Sequence, residues 1–560
     1  MKSIFKYLYI PLIFLLFCTG CTRNFDDINT DPSIVTEPDV RFLLTYAENE
    51  LMTYQGTEWV WESMEHLMRY TQHATASPYE LSGNVNRRYA AFYSNMLPNL
   101  EEIRRQIDER GDSENYQNMK MVTYILQVLQ AIKVTDMNGS MPYSEAGLGR
   151  YEVKFDPKYD TQDLLFSTWL SQLDQAIQVL STTDASQQES YGNADMYYQS
   201  DWTNWVKLAN TLKLRIAVRL ENQDANQAAS IFQSVMQDAT GPIDSDEAQM
   251  MYTNDTYTPF GTGGDINYRS TRFGVQAMVN FMKDTEDPRL AIYFEQNDLV
   301  GAYQDSLDAN GVSLPDFIDP DDPLIYYQGG PADWTVEPDK ATFLSNPLVV
   351  GTNRYFLISA LNRKFFSPKM DGATGVFMDV VASYAETCFY IAEFIAKGYA
   401  GGVDTKGSAE DWYKQGIASS IRTMNRIAET AEATTAFSGD GQALIEAYQN
   451  HPEVALDGSN DLERIYIQAH LHFLRQPNEG FVFCRRTGYP KSNSSYFPRE
   501  EFNEMVPRRF WLDDPGEVNR TNWESAMNEQ GFTPRSQDVQ DLNAERIWYD
   551  QNAPAFGQGQ

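Results

Sequence analysis

Residues 202–220 read WTNWVKLANTLKLRIAVRL. Trp202, Trp205, Leu208, Ala209, Leu212, Ile216 and Leu220 recur at steps of three and four, with Lys207, Asn210 and Lys213 largely off that line. A turn of about 3.6 residues puts such positions on one face, so the spacing predicts a helix with one buried stripe. The same spacing recurs on both sides. Upstream it runs through Met121, Val122, Ile125, Val128, Leu129 and Ile132, then through Leu165, Trp169, Leu173, Ala176, Ile177 and Leu180. Downstream it runs through Tyr384, Ala385, Cys388, Ile391, Ala392 and Ile395, then Trp412, Tyr413, Gly416, Ile417, Ser420, Met424 and Ile427. Such stripes are core faces, so Trp205 and Trp412 are expected inside. Small residues at Ala385, Ala392 and Gly416 let neighbouring helices approach. The expected class is mainly α: tetratricopeptide-like helix pairs with an irregular, loop-rich second layer. The ~34-residue period of a regular repeat does not emerge.

Between the stripes lie turn-rich stretches. Residues 251–272 carry Pro259, Gly261, Gly263 and Gly264. Residues 297–372 carry Pro315, Pro320, Pro323, Pro331, Pro338, Pro347 and Pro368, and 484–560 is similarly punctuated. Long irregular segments in a compact protein are usually functional. The expected organisation is a signal segment at 1–20, a lipidated tether at 21–39 and a single domain over 40–560. Its helical scaffold falls mainly in 40–250 and 373–475, and its loop-rich layer mainly in 251–372 and 476–560.

The N-terminus sets the compartment. Lys2 and Lys6 precede an apolar run from Tyr7 to Phe17. That run is short of the ~20 residues that cross a bilayer and has the flanks of a secretory signal. Cys18-Thr19-Gly20-Cys21 follows. Small residues before a cysteine have the pattern of a bacterial lipobox, although Cys18 stands where an aliphatic residue is usual. Acylation of Cys21 by several chains, palmitate among them, would anchor the protein firmly, since each buried methylene contributes about 0.8 kcal/mol. Thr22 replaces the aspartate of inner-membrane retention, and Asp26 and Asp27 follow. The expected location is the outer membrane, facing outward.

The formal net charge is −34, which repels phosphate backbones and excludes nucleic acid as a partner. Of the four cysteines, Cys388 and Cys484 remain after processing and are expected as buried free thiols. Catalytic patterns are wanting. His66, His73, His451, His470 and His472 are scattered. Gly261-Thr262-Gly263-Gly264 lacks the Lys-Ser/Thr of a phosphate loop. The Asp308-Asn310-Gly311 run fails as a calcium loop, because Phe317 stands at its twelfth position. No cofactor or metal is expected.

Several segments resemble the SusD/RagB family, and within it the SusD-like subgroup. NFDDINTDP at 24–32 is similar to the family's start after the lipid cysteine. DMNGSMPYSEA at 136–146 resembles its D-x-x-G-x-x-P-Y-S-E-A segment, and KLANTLKLRIAVRL at 207–220 its K-x-A-N-x-L-x-L-R helix. SYAETCFYIAEFIAKG at 383–398 resembles its Y-A-E…A-E helix. IYIQAHLHFLRQPNEGFVFCRRTGYP at 465–490 is similar to its R-R-T-x-x-P segment, and Pro507-Arg508-Arg509-Phe510 with Asn519 to its end. The resemblance spans nearly the whole chain in order. It implies a surface lipoprotein that lids a SusC-like TonB-dependent transporter and captures an oligosaccharide, or in some members a peptide, without being an enzyme. A secreted glycan hydrolase and a structural surface protein are the alternatives.

Aromatic residues make up 13% of the chain, more than a core alone needs, and rings stack on sugar C–H faces. Loop aromatics are the candidates: Tyr79, Tyr89, Tyr303, Tyr326, Tyr327 and Trp334, with Arg87 beside them. Trp59 and Trp61 are weaker ones. The 79–89 stretch and the 297–345 region are expected to form one open platform, with Gly329 and Gly330 turning the backbone to present a ring. Glu386 and Glu393 are seven apart on an apolar helix and need buried partners. At least one is expected to pair with Arg485 or Arg486 and tie the 484–490 turn to the scaffold. The N-terminal reading has a direct test: Cys21→Ala should yield an unprocessed or soluble protein that takes up no labelled fatty acid. Membrane partitioning with lipid uptake by that variant would contradict it.

Overall fold

The computed structural model describes residues 39–51, 57–76, 81, 86–255, 272–369 and 373–560, the side chains of 57–61 and 150 excepted. The signal segment, Cys21, the tether through Pro38, Tyr79 and the Gly261–Gly264 turn lie outside the described residues, as do the side chains of Trp59 and Trp61. Six main helices build the N-terminal half: α1 (Val40–Asn49), α2 (Leu97–Asp108), α3 (Gln117–Asn138), α4 (Gln162–Thr182), α5 (Trp202–Leu220) and α6 (Ala225–Gln237). Each packs on the next in chain order, as short connections favour. The middle holds α7 (Gln276–Asp284), α8 (Tyr303–Asn310) and α9 (Pro338–Ser345). Then come α10 (Tyr384–Ala396), α11 (Ala409–Thr430), α12 (Asp461–His472), α13 (Pro477–Thr487) and α14 (Arg520–Glu529), with α10 packed on both α11 and α12. The protein is mainly α, with tetratricopeptide-like helical pairs.

Local chemistry starts and spaces these helices. Asp201 caps α5, its carboxylate accepting from the backbone N–H of Thr203 at 3.0 Å and Asn204 at 3.3 Å. Ser383 and Glu386 form a reciprocal capping box on α10, as sequence of that type does. A Cβ on Gly416 would lie 2.7 Å from the Phe389 ring, so glycine there sets how closely α11 meets α10. Trp169, Trp205 and Trp523 are fully buried, and Trp412 nearly so. Cys388 and Cys484 are buried and unbridged.

The strands are short antiparallel pairs: β1 (Ala74–Thr75) with β3 (Phe273–Gly274), β2 (Met250–Asn254) with β6 (Phe377–Ala382), and β4 (Leu348–Val350) with β5 (Asn353–Tyr355). Two expectations need correction. The 297–372 stretch is less irregular than its prolines suggest, because α8 precedes Pro315 and α9 ends before Pro347; Pro338 opens α9, where a missing N–H costs nothing. The 484–490 turn is in its first part the last turn of α13, which ends at Gly488 with φ of +71°.

Four histidines are sealed in the core. The carbonyl oxygen of His470 accepts from Nε2 of His73 at 2.7 Å, and the two rings stack 3.9 Å apart. Nε2 of His472 lies 2.8 Å from the Ser383 hydroxyl. Burial pulls His66 down to about 3, His73 to about 4 and His472 to about 3, and His470 in the same direction. The unfolded chain takes up these protons near the ordinary value of 6.5, which the folded chain refuses. Stability from this source is therefore complete above pH 6.5 and is lost as pH falls toward 4. Urea midpoints should drop through that window, and His73→Gln should make the slope shallower. An unchanged slope in a folded His73→Gln protein would contradict this account.

Candidate functional site

Trp334 sits on a knot of four chain segments. β1 pairs with β3, Phe273 bridges Ala360, and Val275 bridges Gly330. The Gly330 N–H donates to Gly274 O, and the Gln276 N–H to Gly330 O, both at 2.8 Å. Neither Gly329 nor Gly330 has positive φ, so they do not act as the expected turn. They permit contact instead: a Cβ on Gly329 would lie 2.3 Å from Gln276 Cα, and one on Gly330 2.6 Å from Leu344 Cδ2.

The next residues are held one by one. Ala332 N–H donates to Glu500 Oε2 at 2.8 Å, and Ala277 N–H to Oε1 at 2.6 Å. Asp333 Oδ1 accepts from Thr335 N–H at 2.8 Å and its hydroxyl at 2.7 Å. Asp333 Oδ2 accepts from Asn503 N–H at 2.8 Å and Glu504 N–H at 3.2 Å. Burial alone would raise the Asp333 pKa, but these bonds outweigh it and hold the carboxyl below its ordinary value. Trp334 Nε1–H donates to Thr75 Oγ1 at 3.1 Å. One side of its ring packs on the cluster of Phe273, Leu344 and Ile358, and the residue stays partly exposed. Asn503 completes the ledge, its side-chain amide donating to Thr335 Oγ1 at 3.1 Å.

Beside this ledge runs a groove of about 480 Å³, lined among others by Arg499, Phe502, Asn503, Met505, Arg546 and Phe556. Its size suits a small ligand, and Met505 is 41% exposed. The groove was not readable from the sequence. Residues 499–508 have no apolar period, and only Pro498 and Pro507 mark them.

The other candidates lie in different surroundings. Arg87 is exposed on the helical turn Arg87–Ala91. Tyr89, on the same turn, packs at a tilt 4.5 Å from Tyr93, and burial pushes its hydroxyl well up. Tyr303 packs with Leu299, Ile318 and Leu357 at the start of α8. Tyr326 lies 5.2 Å from Tyr327. Tyr327 is buried, with its hydroxyl pushed up to about 12 by burial, and it lines a separate cleft of about 570 Å³ with Glu295, Gln296, Asn362 and Arg363. Trp334 and Tyr89 have different neighbours. The 499–512 segment links their regions: Asn503 meets Thr335, while the Asn138 amide donates both to Asn86 Oδ1 at 3.1 Å and to Trp511 O at 3.0 Å.

Arg486 meets Glu393 at 2.6 Å, and both are buried. Burial would raise Glu393, but the Arg486 and Lys397 charges prevail and hold it low. Glu386 instead takes Arg215 at 2.7 Å. Arg485 reaches neither glutamate; its guanidinium donates to Arg508 O at 2.7 Å and to the Tyr549 hydroxyl. Among the described residues no group of three or more His, Cys, Asp or Glu is placed to hold a metal ion.

A mainly α body of tetratricopeptide-like helical pairs is the form of one known class. The chain matches the model of the SusD-like family, described as starch-binding and associating with the outer membrane, over residues 32–313 and 348–512. The chain belongs to this family. Solved structures agree on the fold. A chitin-binding protein is 22% identical with a TM-score of 0.68, covering 91% of this chain and 100% of its own. A SusD homologue from Bacteroides fragilis is 17% identical, with a TM-score of 0.65 and coverages of 91% and 100%. A chitin-binding SusD homologue from Flavobacterium johnsoniae is 19% identical, with a TM-score of 0.63 and coverages of 92% and 99%. No curated protein sequence matches the chain.

The mount of Trp334 predicts a sharp effect from a small change. Gly329→Ala forces two backbones apart, which should cost about 1–3 kcal/mol and loosen the Trp334–Thr75 contact. Urea unfolding and Trp334 fluorescence in a background lacking other surface tryptophans would measure both. Wild-type stability in Gly329→Ala would refute the close-approach role.

Proposed function

We propose that this protein is a surface lipoprotein, anchored through Cys21, that captures an oligosaccharide on the Trp334 ledge and passes it to a TonB-dependent transporter. The observation that carries the reading is the ledge itself. A partly exposed indole is held by Thr75 beside fixed polar groups of Asp333, Thr335 and Asn503. A ring that packs a sugar's C–H face, flanked by side chains that exchange hydrogen bonds with hydroxyls, is what an oligosaccharide requires. Pre-ordering limits the entropy lost on binding. Family membership supports the outer-membrane setting and a binding role, and two structures of this fold are described as chitin-binding. Among the described residues no helix is long and apolar enough to cross a membrane; in this reading the lipid on Cys21 makes the attachment.

A stacked ring contributes about 1–2 kcal/mol by analogy with aromatic pairs, so Trp334→Ala should weaken glycan binding roughly tenfold. Titration calorimetry against maltoheptaose and chitohexaose measures this, with the melting temperature as folding control. Unchanged affinity in a folded variant would remove Trp334 from the site.

A further inference from the structure

On a protein with a net charge of −34, the groove beside Trp334 is unusual in its arginines. Arg499, Arg508 and Arg546 all line it. Glu500, Glu501 and Glu504 line it as well, and two of these carboxylates are held by groups outside the groove. Glu500 accepts the backbone N–H groups of Ala277 and Ala332. Glu504 pairs with Arg69, and Asp550 with Arg508 at 2.5 Å. Glu501 lies exposed on the rim.

Arg499 and Arg546 have no carboxylate partner among the described residues. Arg499 is 7% exposed; its Nη2 donates to Tyr70 O at 2.9 Å, while its buried Nη1 has no acceptor. Burial pulls its pKa down to about 10, so the charge persists at neutral pH without a counter-ion. Arg546 is partly exposed and is pinned by Nη1 to the carbonyls of Asp550 at 3.1 Å and Ala553 at 2.7 Å. In the same groove Phe556 offers a partly exposed ring, with the Arg499 guanidinium 5.2 Å and that of Arg508 5.0 Å from its centroid. A buried charge without a partner is costly, and a carboxylate entering the groove would relieve that cost. The same rigid cations give a neutral hydroxyl much less.

We infer that the groove selects a carboxylate-bearing oligosaccharide, with a uronic acid residue placed against Arg499 and Arg546 while a neighbouring ring lies on Trp334. This rests on the oligosaccharide reading given above and narrows it to acidic chains. Arg546 is the specificity-determining residue and Trp334 the stacking one. The ledge is continuous with the groove through Asn503, which bonds Thr335 on one side and lines the groove on the other.

Oligosaccharides of homogalacturonan, alginate and hyaluronan, each as free acid and as methyl ester, test this by calorimetry. The two forms share a backbone and differ in the carboxylate charge and one methyl group. At least one free acid should bind about tenfold or more tighter than its ester, the scale of a hydrogen bond to a charged group. Arg546→Gln, which keeps a donor for the two carbonyls, should shrink the preference for acid over ester by about threefold or more, Arg499 supplying what is left. Equal affinities in the wild type, or an undiminished preference in Arg546→Gln, would overturn the inference. If maltoheptaose or chitohexaose binds and every free acid fails, acid selection falls and oligosaccharide capture stands. If no glycan of either kind binds, both fall.

Discussion

Buried guanidinium–carboxylate pairs decide how the helices of this protein can sit. Arg215 of α5 grips Glu386 of α10 through two bonds of 2.7 and 2.9 Å. One turn further on, Arg219 grips Asp136 of α3 at 2.8 and 2.7 Å and reaches Glu479 of α13 at 2.9 Å. Arg486 of α13 closes the circuit on Glu393 of α10. Apolar stripes tolerate sliding by a fraction of a turn, whereas a two-pronged pair tolerates very little. A displaced helix would leave a lone ion in the core, at a cost of several kcal/mol. The pairs thus act chiefly on register: the apolar faces supply the drive to pack, and the ions say where.

The same device extends from the scaffold to the ledge. Arg69 lies at the end of the helical segment before β1 and pairs with Glu504, two residues from Phe502 in the groove. Arg272, just before β3, pairs with Glu65. Glu500, part-buried between α7 and the Trp334 loop, is held by two backbone N–H groups. Gln72 and Glu500 bond reciprocally, the Gln72 amide donating to Glu500 O at 2.9 Å and Glu500 N–H to Gln72 Oε1 at 2.8 Å. Segments with little regular structure are fixed by polar bonds where they lack a packed face of their own. That is how a loop can present an aromatic ring without losing much freedom on binding.

This division explains what could be read from the sequence. The stripes on α3, α4, α5, α10 and α11 were legible because helical periodicity is local. A tryptophan in a stripe, such as Trp205, was legible as core for the same reason. The need of Glu386 and Glu393 for partners followed from burial alone, yet burial does not name the partner. Arg486 could be guessed for Glu393, while Arg215 lay unmarked on the edge of its own stripe. Tyr327 looked like Tyr326 in sequence, but only the three-dimensional course of the chain turns it into the core. The register that joins Thr75 to Trp334 across 259 positions leaves no periodic trace. Nor does a close approach at Gly329, which in a sequence resembles any glycine in a turn.

The acidic surface and the arginine-lined groove bear on one another. At a net charge of −34, an anionic ligand meets long-range repulsion, which salt screens beyond roughly 10 Å. Inside the groove the nearest charges dominate, because screening there is weak and the cations are already ordered. Repulsion at distance combined with attraction at contact slows the approach of any polyanion that cannot seat itself. It costs little to one short enough to enter. In that reading the protein would favour short chain ends over long acidic strands, through the sign of its surface as much as through the shape of its site.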